Sequence, residues 1–284
     1  MSDVTMRVMK ELGASVLLAV AVVAALSGCE HRAAPLPESN PPTELASSEI
    51  TRLTAVHPAV ADWLAEASPE IARWEQVEEL PHELALLKTV FWEPRDTASL
   101  RPMLNDSARV KGKTVLEIGT GSGLLAFCCL RGGASRVVAT DVNPAALVSA
   151  LYNAQRLGVA DRLELRRVAI DTREAFSVIG PEERFDLIVS NPPWVDTVPT
   201  EIGDYAYFDP HFNLLRSLLA GLRDHLKPGG KALLAYGARS AIETVIRLAP
   251  EHSLRVEVLD ERDLSTLPEV FLPGMLLSVE PQSE

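Results

Sequence analysis

The sequence predicts an α/β fold, a doubly wound and mostly parallel seven-stranded sheet with a helical N-terminal region ahead of it. Three observations carry this reading. After Lys113, short β-rich runs alternate with helical ones; a glycine-rich turn joins the first such run to its helix; and two later helices open on a capping residue followed by proline, at Asn143-Pro144 and Asp209-Pro210. In order, the strands are Thr114 to Ile118, Arg136 to Thr140, Leu163 to Val168, Phe185 to Ser190, Lys231 to Tyr236, Arg255 to Leu259 and Leu276 to Glu280. Between them lie helices over Leu124 to Leu130, Pro144 to about Leu157, Pro210 to about Leu226 and Ala241 to Leu248. In such a sheet, ligands bind beyond the carboxyl ends of the strands.

Residues 45–105 carry apolar residues at helical spacing, such as Ile50, Leu53, Val56 and Val60, then Leu84, Leu86, Leu87 and Val90, and read as a helical cap on the domain over 106–284. Its Trp63 and Trp74 read as core.

The N-terminus reads as an address. Arg7 and Lys10 precede an apolar run from Ala14 to Leu26, too short for the roughly 20 residues of a spanning helix but suited to a signal peptide. Leu26-Ser27-Gly28-Cys29 resembles a bacterial lipoprotein signal, which implies a leader over 1–28, lipid attachment at Cys29 and a membrane-anchored protein. A misassigned start codon would make the protein cytoplasmic instead. Residues 29–44 hold four prolines without apolar periodicity and read as a tether.

Composition narrows the class. Of 284 residues, 27 are Lys or Arg and 39 Asp or Glu, giving a net charge of −12, which disfavours a protein that grips nucleic acid chiefly through phosphates. Three cysteines make no disulfide scaffold and fit no zinc-ligand spacing, so no metal is expected. Cys128-Cys129 read as core.

The chemistry concentrates at strand ends. Glu117-Ile118-Gly119-Thr120-Gly121-Ser122-Gly123 closes the first strand, and its glycines allow positive φ and close approach of a ligand. A dinucleotide fingerprint starting at Gly119 needs glycine at position 124, which is Leu124, so a nicotinamide enzyme is disfavoured. A second acid, Asp141, closes the second strand where a carboxylate can accept ribose hydroxyls. Asn191-Pro192-Pro193-Trp194 follows the fourth strand at once. Two prolines stiffen this turn, and Asn191 supplies an acceptor that can hold a planar NH2, with Trp194 as a flat wall.

These motifs resemble the class I S-adenosylmethionine-dependent methyltransferases of Rossmann-like fold, and Asn-Pro-Pro-Trp resembles the element of the members that methylate amide or exocyclic amino nitrogens. The resemblance covers roughly residues 90–284. It implies S-adenosylmethionine as cofactor, a last strand running antiparallel, cofactor contacts at Glu117, Gly119, Thr120, Gly121, Gly123, Asp141, Asp171 and Asn191, and catalysis by Asn191, Pro192 and Trp194. Phe91-Trp92-Glu93-Pro94-Arg95-Asp96-Thr97 is similar to a stretch of the release-factor glutamine methyltransferases, with Thr97 one residue early. The loop over 195–210 holds Asp196, Glu201, Asp204 and Asp209 and no Lys or Arg, which favours a protein or small-amine acceptor over nucleic acid. The expected function is methylation of a protein Gln or Asn; the alternatives are an adenine N6-methyltransferase acting on rRNA or DNA, and a membrane-tethered protein that binds an adenosine ligand without catalysis.

Overall fold

A computed structural model describes residues 41–282. The leader, most of the tether and Cys29 lie outside the described residues. Among the described residues no helix is long and apolar enough to cross a membrane.

The N-terminal region is not wholly helical. Two helices, α1 (Ser47–Val56) and α2 (Val60–Glu66), lead into an antiparallel hairpin of β1 (Ile71–Glu75) and β2 (Leu84–Leu87), followed by the short helices α3 (Arg101–Asn105) and α4 (Ser107–Val110). All four residues of β2 are buried, and no exposed face is left to give a helical stripe its polar side. Asn153 of the following domain fastens this strand, accepting from the Ala85 amide at 2.8 Å and donating to its carbonyl at 2.9 Å.

The rest of the chain adds β3 (Thr114–Ile118), α5 (Leu124–Arg131), β4 (Arg136–Asp141), α6 (Pro144–Arg156), β5 (Leu163–Arg167), β6 (Phe185–Ser190), α7 (Asn213–His225), β7 (Leu226–Ala238), α8 (Arg239–Leu248), β8 (Leu254–Val258) and β9 (Val270–Pro281). The sheet order is β5-β4-β3-β6-β7-β9-β8. Strands β5 to β7 run parallel, and β9 lies between β7 and β8 antiparallel to both.

Both faces of the sheet are covered, so alternate residues of one strand enter different cores. Val115, Leu187, Val189, Leu233 and Ala235 pack with α5, α6 and the N-terminal region; Leu116, Ile118, Ile188, Leu234 and Tyr236 pack with α7 and α8. Cys128 and Cys129 are buried on α5.

The helix expected from Pro210 begins three residues later. His211 and Phe212 have φ of 58° and 53°, left-handed values that interrupt a helix, and the Asp209 carboxylate instead accepts from the Leu214 and Leu215 amides at 2.9 and 3.1 Å. Strands β7 and β9 also outrun their sequence signals: β7 pairs with β6 from Leu226 and with β9 as far as Ala238, opposite Val270.

Candidate active site

Register brings the site together. Ile118 pairs with Thr140 on one side and Ser190 on the other, so β3, β4 and β6 end at one level and their three following turns meet. The Gly119 and Thr120 amides both donate to the Thr140 carbonyl at 2.9 Å, and the Ser190 hydroxyl donates to the Ile118 carbonyl at 2.6 Å.

In the glycine turn, Gly119, Gly121 and Gly123 have φ of 74°, 53° and 86°. The space a Cβ would fill at Gly119 and Gly121 is open, as a cradle for a ligand requires, whereas a Cβ at Gly123 would meet the Phe127 ring at 2.6 Å. The turn is pinned from two sides. Asp141 accepts from the Gly121 amide and the Asn143 amide, each at 2.8 Å, and Thr120 donates its hydroxyl to Glu117 at 2.7 Å. Burial, with some help from the Asp141 charge, pushes the Glu117 carboxyl up to about 8. Burial likewise raises Asp141, against the backbone hydrogen bonds that lower it.

Three adjoining cavities surround these turns. The first runs from Gly119, Gly121 and Asp141 past Val142, Val168 and Ala175 to a roof formed by Ile202, Tyr205 and Phe208. The second lies along Glu117, Thr120, Ser122 and Leu125. The third is walled by Trp92, Asp96, Pro192, Trp194 and Tyr207. Phe91 and Asn191 border all three. Asn191 therefore stands where a group held in the first two meets one held in the third.

Polar atoms at this junction are unsatisfied. Asn191 Oδ1 and Asp96 Oδ1 are both buried without a partner, an arrangement that costs about 1–3 kcal/mol per group unless a ligand donates to them. Burial first, and the nearby Glu93 charge second, push Asp96 up to about 8.

The residues expected from sequence divide. Glu117, Gly119, Thr120, Gly121, Asp141, Asn191 and Pro192 line the cavities. Gly123 acts by close packing beneath the turn, without lining them. Trp194 reaches the third cavity but is 7% exposed and packed against β7, where a Cβ on Gly237 would lie 2.9 Å from its ring, so it is a fixed wall. Asp171 is exposed on a 3-10 turn and does not line the first cavity; Arg173, Glu174 and Ala175 do.

The acidic loop is also different from its sequence. Asp204 turns inward, accepting from the Thr200 amide and hydroxyl at 2.9 and 2.7 Å, and Asp209 caps α7; they are 1% and 3% exposed. The loop mainly roofs the first cavity, with Ala206 and Tyr207 facing the third. Two of the four acids on which the acceptor preference rested are thus buried inside the fold.

Sequence reasoning missed Phe91, Asp96 and Arg173 as lining residues and left Tyr207 open between a lid aromatic and plain packing. Phe91 and Asp96 lie in the stretch already singled out by resemblance. Tyr207 reaches the site through an edge-to-face contact with Phe91, at 5.2 Å and 85°, that no local pattern encodes.

A doubly wound sheet with a glycine cradle, a strand-end acid and an Asn-Pro-Pro turn at one mouth defines a nucleoside-binding transferase of the methyltransferase type. Comparison with known proteins agrees. The family model for ribosomal protein L11 methyltransferase (PrmA) matches residues 97–192. A release factor glutamine methyltransferase of Cereibacter sphaeroides is 35% identical over 185 residues, 60% of this chain and 64% of that protein. A protein of Methanocaldococcus jannaschii named for N5-glutamine methylation is 31% identical over 167 residues, 56% of this chain and 79% of that one. The chain thus matches a little under two thirds of the length of the first relative and more of the second. In fold, it is similar to an S-adenosylmethionine-dependent methyltransferase of Agrobacterium tumefaciens, with a TM-score of 0.53 and 17% identity over 74% of this chain and 70% of that one. The chain belongs to the S-adenosylmethionine-dependent methyltransferases, the family that includes these glutamine-methylating relatives.

The residues present fit that cofactor. The open Cβ positions at Gly119 and Gly121 lie on the border shared by two adjoining cavities, one lined by Glu117 and the other by Asp141, at neighbouring strand ends.

Proposed function

We propose that this chain methylates the side-chain amide nitrogen of a protein glutamine or asparagine. The observation that carries the reading is Asn191, whose buried, unpartnered Oδ1 sits at the junction of the three cavities. The cofactor supplies an electrophilic methyl group on a sulfonium. Glu117, Gly119, Thr120 and Gly121 would hold its methionine end and Asp141 its ribose. Asn191 would accept an N–H of the acceptor amide and orient the nitrogen, while Pro192, Trp194 and Tyr207 would keep water out and fix the amide plane. The names of the two glutamine methyltransferase relatives support a protein acceptor.

The test is transfer of a labelled methyl group from S-adenosylmethionine to a purified bacterial release factor, to bulk protein and to rRNA. Label on a glutamine nitrogen is the expected result. Label on adenine favours the nucleic-acid alternative. Saturable cofactor binding with no transfer favours a non-catalytic binding protein.

The membrane tether is a separate proposal. It rests on Leu26-Ser27-Gly28-Cys29 and the apolar run before it. Mass spectrometry of the mature N-terminus decides it: an acylated Cys29 is expected, and an intact Met1 overturns it.

A further inference from the structure

Asp96 lies 95 positions before Asn191 in the chain, yet its Oδ2 is 3.5 Å from Asn191 Nδ2, which donates to it at the long limit of a hydrogen bond. That contact turns the Asn191 NH2 towards Asp96. With its NH2 turned to Asp96, its oxygen is left for the acceptor.

Asp96 is held there by its surroundings. It is 1% exposed and follows Arg95, whose guanidinium donates to Glu93 at 2.8 and 2.6 Å; Arg95 and Glu93 also border the third cavity. Strand β9 closes on the backbone behind it: a Cβ at Gly274 would lie 2.4 Å from the Asp96 carbonyl, and the Ser99 hydroxyl donates to the Gly274 carbonyl at 2.9 Å. Asp96 borders the third cavity, and its Oδ1 has no partner. With Asp96 ionised, that cavity presents two unpartnered side-chain acceptors, Asn191 Oδ1 and Asp96 Oδ1, while Asn191 Nδ2 is committed to Asp96 and the Arg95 guanidinium at its border is paired with Glu93.

We propose that Asp96 is a positioning and specificity-determining residue: Oδ2 fixes the Asn191 amide, and Oδ1 takes an N–H of the acceptor, so that the cavity selects an uncharged NH2 group and rejects a carboxylate of the same shape. This rests on the amide-methylation reading and narrows it to acceptors with two N–H donors on one nitrogen.

The test uses the full chain saturated with S-adenosylhomocysteine at pH 9, above the value to which burial and Glu93 push Asp96; Glu93, Arg95 and Tyr207 are the other titratable groups that act on it. Calorimetry compares acetyl-Gln-N-methylamide, its Glu counterpart and its side-chain methyl ketone isostere, which has no N–H. The wild type should bind the Gln probe at least about tenfold more tightly than either of the others. Asp96→Asn should leave S-adenosylhomocysteine affinity within about twofold while the Gln-to-Glu ratio falls towards one, a change that a merely structural role would not produce. An unchanged ratio in Asp96→Asn overturns the proposal. If that variant fails to fold, the wild type alone decides, and equal binding of the Gln and ketone probes overturns it. Failure of the amide-methylation reading shows separately, as absence of label on any protein while the probe ratios hold.

Discussion

The Arg173 guanidinium lies 5.8 Å over the ring of Tyr205, and these two side chains meet from opposite loops at the edge of the first cavity. Arg173 follows β5 and Tyr205 belongs to the roof after β6, so the contact links the two segments that would enclose an adenosine group. A cation–π contact of this exposure contributes about 0.5–1 kcal/mol. Arg173→Ala is expected to weaken S-adenosylhomocysteine binding roughly two- to fivefold by calorimetry, mostly through faster dissociation.

Asn191→Ala should separate binding from turnover. The cavity keeps its glycine cradle and both acids, so affinity for S-adenosylhomocysteine should change by no more than a few fold. Methyl transfer should fall by about 100-fold or more, because the acceptor nitrogen loses the group that orients it. Equal loss of both would remove Asn191 from its assigned role.

Asp141→Ala should act oppositely. The Asp141 carboxylate holds the Gly121 and Asn143 amides and faces the first cavity. Its loss unpins the glycine turn and removes the carboxylate proposed to accept the ribose hydroxyls; one charged hydrogen bond is worth roughly 1.5–3 kcal/mol, so cofactor affinity is expected to fall at least about tenfold. Equilibrium dialysis with labelled cofactor checks this.

Gly237→Ala tests the fixed wall. The added methyl would lie 2.9 Å from both the Trp194 ring and the Phe271 carbonyl, so either Trp194 moves or the β7–β9 pairing opens. Overpacking of this kind costs about 1–3 kcal/mol. The expected result is a lower melting temperature together with a raised KM for the methyl acceptor and little change in cofactor affinity.

Stability should depend on pH through two buried acids. Asp96 and Glu117 are each pushed to about 8 in the folded chain, well above their unfolded values. Between about pH 4 and 8 the folded state therefore binds more protons than the unfolded one, and their contribution is present at the acid end and lost as pH rises through that window. The melting temperature should drop from pH 6 to pH 9. Glu117→Gln and Asp96→Asn should each flatten that drop. Because a carboxylate at Glu117 suits a cationic cofactor group, cofactor binding at pH 7 should also release protons, read as a buffer-dependent heat in calorimetry.

The sheet and half of the site were legible from short-range pattern. Thr114–Ile118 and Phe185–Ser190 emerged with their observed bounds because a strand covered on both faces is a continuous apolar run closed by a turn, a signal contained within ten residues. The glycine turn, Asp141 and Asn191 were readable for the same reason, since each follows its own strand directly. Leu84–Leu87 was misread because four buried residues in a row have no period to distinguish helix from strand, and only pairing with Ile71–Glu75 settles it. The loop acids show the same limit: sequence supplies the charge of Asp204 and Asp209, but not the Thr200 and α7 amides towards which they turn.

By itself, then, the sequence determined the order of strands and helices after Lys113, the glycine turn and the Asn-Pro-Pro-Trp element, because those depend on neighbours in the chain. Tertiary structure decided that Asp96 stands against Asn191, that Phe91 and Tyr207 meet at the third cavity, and that Asp171 is not in the lining of the first. Those relationships join segments up to about a hundred residues apart, and they exist only once β3, β4 and β6 end at one level beneath the N-terminal region.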